Sequence, residues 1–339
     1  MRSSRFDAGP LNAITDVPGI HVGHVTVRDG ETNTGVTVVS PSAQEARNTL
    51  RFYGKHVSGS EGELTGFQVI DDFGLLSSPV FITNLMSVGR IYNGALTAAF
   101  KRASGLPTNG GWPPIVIGID DRLLNDMRAR VLSDAHAVDA LATATTGPVR
   151  QGNVGAGTGV AAFGYKSGVG TSSRRIVIDE NVFHVGVLSI PAHGGFGDIQ
   201  PVITPGGDAD LPVQIPFPIA GAVVATDAPL SSRQLDSLAG AAAEGLARIP
   251  VLGPAGGSYI VVSFGTGLVI EEPDDDAIYN LPFLSDDVMP DLRRAAVESA
   301  EESVFNALRA AMTIGTPAGR FVQAVSDETL LDLIDSRYD

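Results

Sequence analysis

Ser258 follows two glycines in Pro254-Ala-Gly-Gly-Ser-Tyr-Ile-Val-Val-Ser263 and opens an apolar run. A serine hydroxyl becomes a useful nucleophile only when a base takes its proton. A serine at a Gly-Gly step is also an ordinary turn residue, and the segment alone leaves both readings open. Glu301 is the second candidate. On a helical wheel, Val297, Val304, Phe305, Leu308 and Met312 form one apolar stripe with Glu301 inside it. Glu298 and Glu302 fall beyond its edge, in a polar sector with Arg309. A carboxylate on a buried stripe needs a partner. That partner is either an arginine, in a structural ion pair, or a group the carboxylate serves chemically.

Other motifs carry less. The G-x-S-x-G elbow is absent. The stretch Gly152 to Gly159 fits neither the dinucleotide fingerprint nor the phosphate loop, since no Gly-Lys-Ser/Thr follows. His21 and His24 have H-x-x-H spacing, but in extended chain residues three apart face opposite sides. No third ligand is in sight, so no metal is expected. The other four histidines are scattered; a Ser-His-Asp triad has no positive support and stays open.

These residues need elements to position them. Residues 20–27 and 34–39 alternate or are β-branched and predict strands, with turns at Asp29-Gly30 and Ser40-Pro41. Residues 79–85, 114–119, 219–226 and 258–264 are short apolar runs, expected of strands covered on both faces. Residues 175–187 predict a hairpin closed near Asp179-Glu180. Helices are expected over 87–101, 126–144, 231–249 and 291–314, the third capped by Ser231 or Ser232 and the last ended by Gly315 and Pro317. Covered strands alternating with helices imply a layered α/β sandwich. No linker or repeat divides residues 1–339, so one domain is expected.

Composition narrows the class. A formal charge of −15 opposes nucleic-acid binding, and the absence of cysteine removes disulfides and thiolate chemistry. No apolar run reaches a membrane span, and residues 1–8 lack the apolar stretch of a signal peptide. A cytoplasmic protein with no membrane partner is the expectation.

Along the chain stand Ile14-Thr-Asp-Val-Pro-Gly-Ile-His-Val-Gly-His24, Asn33-Thr-Gly-Val-Thr-Val-Val39, Gly62-Glu-Leu-Thr-Gly66 and Thr83-Asn-Leu-Met-Ser-Val-Gly89. They are followed by Leu124-Asn-Asp126, Gly152-Asn-Val-Gly-Ala-Gly-Thr-Gly159, Gly168-Val-Gly-Thr-Ser-Ser-Arg174 and Ala225-Thr-Asp-Ala-Pro-Leu230. Each block is short; their order is specific, and in it the chain resembles the L-aminopeptidase/D-esterase and β-aminopeptidase family. The resemblance implies an α-β-β-α sandwich like that of N-terminal-nucleophile hydrolases and ornithine acetyltransferases. It further implies self-cleavage between Gly257 and Ser258 into residues 1–257 and 258–339. The new Ser258 α-amine would serve as base, Glu301 would support the new terminus, and Ser299 would supply a nearby hydroxyl. No cofactor is implied. The substrate would be a small peptide, amide or ester with a free amine, and the assembly a homo-oligomer of cleaved pairs.

Two positions depart from the family pattern. Ala192 stands where relatives often carry an oxyanion-binding Asn, leaving His193, Asn153 or the amides of residues 155–159 as candidate donors. Gly118 stands where relatives often carry Glu, leaving Asp120 or Asp121 to meet the substrate amine. Tyr165 lies near the place of an aromatic hydroxyl, shifted by two. Such drift leaves room for an amidase or acyltransferase acting on a non-peptide amide or amine, or for an uncleaved binding paralogue.

Overall fold

In the computed structural model, residues 4–41, 49–59, 61–102, 113–192, 219–248, 258–271 and 280–335 are described. Two strands rich in β-branched residues, β1 (His21–Asp29) and β2 (Thr32–Ser40), pair antiparallel from the start. Then come β3 (Thr49–Ser58), the short β4 (Glu63–Leu64), helix α1 (Phe67–Asp72) and the short β5 (Leu75–Leu76). The apolar runs form β6 (Val80–Asn84) and β7 (Ile115–Ile119), each buried along its length, with α2 (Val88–Arg102) between them and α3 (Asp134–Ala142) after. A two-residue hairpin, β8 (Ala161–Ala162) with β9 (Tyr165–Lys166), leads to β10 (Gly170–Ile178) and β11 (Asn181–Ile190). Asp179 and Glu180 join the last two at φ of 46° and 68°, the backbone that a two-residue hairpin turn requires. The remainder is β12 (Ile219–Thr226), α4 (Ser232–Ala247), β13 (Ser258–Glu271), α5 (Met289–Arg309) and α6 (Asp327–Asp335).

The strands build two sheets, ordered β1-β2-β6-β7-β4 and β10-β11-β12-β13-β3-β5. Ile260, Val262, Phe264, Ile219 and Val223 meet Val39, Val80, Ile82, Ile117 and Ile119 between the sheets. Ala220, Ala222, Val224 and Val261 face outward instead, under α4 and α5. Helices α2 and α3 cover the far side of the first sheet. The result is a four-layer α-β-β-α sandwich: the layering follows from the apolar strand runs, and the four-layer order is what the family resemblance implies.

Three expectations are corrected. The second expected helix, residues 126–144, is helical only at Met127–Ala129 and Asp134–Ala142, with Arg130 in the left-handed region breaking it. Strand β3 has no counterpart in the sequence reading. The buried face of α5 is rotated by about one helical position from the predicted stripe. Its centre is Ala296, Ala300, Ser303 and Ala307, and Met312 lies beyond the helix end, exposed. Small residues occupy that centre because the helix backbone touches the sheet: a Cβ on Gly170 would collide with Ser303 O and stand 2.6 Å from Ala307 N.

Candidate active site

Ser258 is the first residue of β13, a central strand that pairs in parallel with β12 and antiparallel with β3. Alternation along a strand sets its side chain on the face of Ile260 and Val262, toward the other sheet. The residue is 1% exposed. Its Oγ donates to Glu61 Oε2 and accepts from the Glu61 backbone N–H at 3.2 Å. The turn that brings Glu61 there depends on Gly59, at φ +78°, where a Cβ would collide with Ser258 Oγ. Gly62 follows, its Cα backed onto the side chains of Ile260 and Ile219. A hydroxyl held between a carboxylate and an amide is aligned for proton transfer to the carboxylate.

Glu61 escaped the sequence reading because 197 residues separate it from Ser258. One signal was present: it directly precedes the Gly62-Glu-Leu-Thr-Gly66 block.

The expected helper residues are placed elsewhere. Glu301 lies on the α4 side of α5, its Oε2 3.7 Å from Arg248 Nη1. Ser299 is fully buried and donates to Val185 O at 3.2 Å. Val185 is in register with Thr226, and Thr226 with Gly265. Seven residues of β13 therefore separate that level from Ser258, about 23 Å along the strand. Helix α5 also packs on the outer face of this sheet, whereas the Ser258 hydroxyl points inward. The buried carboxylate of α5 is Glu298, which the wheel had put outside the stripe. It accepts from Ser4 Oγ at 2.6 Å and Arg294 Nε at 2.7 Å, and its Oε2 lies 3.4 Å from Arg174 Nε.

Asn153 uses its amide on Met312, donating to its carbonyl at 2.7 Å and accepting from its N–H at 3.1 Å. Tyr165 packs against the outer cluster under α4 and α5, and burial pushes its hydroxyl pKa up. His193 and Gly257 lie outside the described residues. The structure thus does not gather Glu301, Ser299, Asn153 and Tyr165 around Ser258.

The two family departures fall near the serine's end of the sandwich. Ile219, in register with Ser258, donates its N–H to Ala192 O at 2.7 Å. Gly118 pairs with Glu63, two residues past Glu61, so the C-terminal end of β7 approaches the same turn. Just beyond that end, Asp120 accepts from Arg122 N at 3.0 Å and Nε at 2.9 Å. Asp121 accepts from Thr34 Oγ1 at 2.6 Å and Asn125 Nδ2 at 2.9 Å. Burial raises the Asp121 pKa to about 7 against the pull of those hydrogen bonds.

Among the described residues no group of three or more His, Asp or Glu side chains could hold a metal. His21 and His24 each bond locally, to Gly19 O and Thr37 Oγ1, both at 3.0 Å. No described helix is long and apolar enough to cross a membrane.

Comparison with known proteins bears on this arrangement. The chain is 32% identical over 343 residues to beta-peptidyl aminopeptidase BapA of Sphingosinicella microcystinivorans, covering 93% of this chain and 85% of that one. The solved structure of a Burkholderia sp. beta-aminopeptidase matches with a TM-score of 0.87 and 34% identity, over 99% of this chain and 97% of the other. The L-aminopeptidase D-Ala-esterase/amidase of Ochrobactrum anthropi, described as a prototype for the serine aminopeptidases and a variant of the Ntn hydrolase fold, matches with a TM-score of 0.87 and 31% identity, over 98% and 96%. The family model "Peptidase family S58" spans residues 12–322. That match covers most of the chain, and the chain belongs to peptidase family S58 as a hydrolase of the aminopeptidase type.

Proposed function

We propose that the protein makes its own nucleophile by cutting the Gly257–Ser258 bond, then removes a small N-terminal residue from a peptide, amide or ester through an acyl-Ser258 intermediate. The observation that carries this is the Ser258 hydroxyl itself, buried at the first residue of β13 and hydrogen-bonded to a carboxylate. After the cut, Ser258 bears a free α-amine with an ordinary pKa near 8, partly neutral at physiological pH and next to the hydroxyl it deprotonates. Water then releases the acyl group with the amine again as base.

The substrate is a small molecule with a free amine, which the acidic end of β7 favours through Asp120 and Asp121. The working form is a cytoplasmic homo-oligomer of cleaved pairs, as the family resemblance suggests. The names of the relatives support aminopeptidase action on α- or β-amino substrates; the methyl of Ala192, at the serine's end of the sheet, marks where preference would diverge.

Denaturing mass spectrometry of the purified protein tests this directly. Chains of 257 and 82 residues (339 − 257) are expected, and Ser258→Ala should stay whole. A wild-type chain that never splits, or a Ser258→Ala chain that splits normally, removes the mechanism. Rates on p-nitroanilides with α- or β-amino groups then read the substrate; activity confined to N-blocked compounds would overturn the aminopeptidase assignment.

A further inference from the structure

Residues 4–16 join neither sheet, yet they lie along one edge of the second. Strand β10 ends that sheet, with β11 as its neighbour on the inner side. In an antiparallel ladder, alternate residues turn their N–H groups away from the neighbouring strand. On β10 that outward set is marked by its partners. Thr171 N–H donates to Gln151 Oε1 at 3.0 Å, Ser173 N–H to Asn12 Oδ1 at 3.1 Å and Arg175 N–H to Asp7 O at 2.8 Å. A bare edge of this kind is a template for another strand. We infer that residues 4–16 are a strap masking a latent docking edge, and that the partner it excludes is β10 of a second copy of this chain.

The strap is shaped to cap the edge without extending the sheet. Asn12 sits at φ 47°, in the left-handed region, which breaks an extended run. Asp16 accepts from Leu11 N–H at 2.9 Å and Ala13 N–H at 3.1 Å, and Ile14–Asp16 close as a 3-10 turn. Ser173 Oγ ties this turn to β10, accepting from Gly9 N–H at 3.1 Å and donating to Asp16 Oδ2 at 2.6 Å. Ile14 N–H adds a bond to Thr171 Oγ1 at 2.8 Å. A segment so folded takes up the donors of β10 and presents no strand of its own. The other end of the sheet needs no such cover, because β5 is only two residues long.

The occupant follows from where the cover stops. Val177 is next in the outward series; its side chain is 59% exposed, and Val182, in register with it on β11, is 38% exposed. A second copy pairing antiparallel about Arg174 would set Ser173 opposite Arg175 and Thr171 opposite Val177. The outward set of β10 is thus complementary to itself, and a two-fold pair would extend the ladder over the exposed valines.

The test loosens the strap in the full-length chain. A Cβ on Gly9 would collide with the Asp16 carboxylate and stand 2.7 Å from Ser173 Oγ, so Gly9→Val lifts the strap where it crosses β10. Asn12→Ala removes the Ser173 cap as well. Sedimentation velocity over a range of protein concentrations should show the double variant shifting toward about twice the wild-type mass, as a two-fold pair requires. At low concentration its Ser173 and Arg175 amides should exchange hydrogen about tenfold faster than in wild type. Adding Arg175→Pro, which deletes an outward N–H at an edge position that tolerates proline, should return the wild-type mass. Exchange at the wild-type rate would show that residues 4–16 do not hold these donors, and would overturn the strap. Faster exchange with an unchanged mass would overturn the docking edge. Association that persists after Arg175→Pro runs through another surface, or through misfolded chain, and overturns it too.

Discussion

A half-buried histidine shows how a single side chain couples this fold to pH. Burial, reinforced by Arg150, lowers the His24 pKa from 6.5 to about 4, so the ring stays neutral in the folded protein through mildly acidic pH. The unfolded chain takes up that proton near pH 6.5. The contribution of His24 to stability is therefore complete above pH 6.5 and is lost as pH falls toward 4, up to about 3 kcal/mol for a shift of this size. Asp121 acts in the opposite sense: its raised pKa makes the folded state bind a proton first, so its burial penalty is relieved as pH drops through about 7. Comparing thermal midpoints of wild type and His24→Gln at pH 7.5 and 5.0 separates the two. The variant should lose less stability on acidification than wild type; an equal loss would show that His24 is not the source. At the same scale, Gly59→Ala should slow the proposed self-cleavage at least tenfold, because the added methyl displaces Ser258 Oγ from a turn already in the left-handed region. A cleavage time course by mass spectrometry reads it. The strand start at Ser258 was legible from a Gly-Gly-Ser step heading an apolar run, because both signals are local, whereas its reading as a nucleophile came from the family resemblance. Its contact with Glu61 was not legible, since that arises only when β3, turning at Gly59, lies beside β13.

Elements were legible where pattern and burial agree. Strands β6, β7 and β12 are buried along their length and read as apolar runs. Strand β3 places Arg51, Lys55 and His56 among its apolar residues, so no period of two stands out, and pairing with β13 decides its structure. Helix α5 was legible as a helix but not in its orientation. Hydrophobicity weights Val, Phe, Leu and Met, whereas closeness to β10 selects Ala and Ser. That difference is measurable. Gly170→Val should destabilise by about 1–3 kcal/mol through overpacking, because its side chain would enter the α5 backbone at Ser303 and Ala307. Gly89→Ala, in helix α2 with nothing near its Cβ position, should instead stabilise by about 0.4–1 kcal/mol. Urea unfolding midpoints of the two variants should move in opposite directions; a Gly170→Val midpoint at or above wild type would mean that α5 is not in close contact.

For the whole molecule, the topology decides how the two products of the proposed cut would behave. The smaller one carries β13, which sits between β12 and β3 inside its sheet, and α5, which packs on β10, β11 and α4. Removing it would split a sheet and open both cores, so the pair should behave as one cooperative unit. A polar staple joins them as well. Arg174, on the larger product, lies with its Nη1 2.6 Å from Glu302 and its Nε 3.4 Å from Glu298, both on the smaller one. Ser4 and Asn12 of the larger product add hydrogen bonds to the same two carboxylates at 2.6 and 2.7 Å. The Arg174 and Glu298 side chains are each 7% exposed, and removing one partner of a buried pair strands the other charge. Arg174→Ala should therefore cost about 3–5 kcal/mol. If the chain is cut as proposed, this loss would bear on association as well as folding. Wild type should elute in size-exclusion chromatography as one particle containing both chains, through moderate urea. Arg174→Ala should release the smaller chain at a lower urea concentration, coincident with loss of secondary structure by circular dichroism. Release well before unfolding would show that the chains are docked rather than co-folded, and an unchanged midpoint would remove the staple.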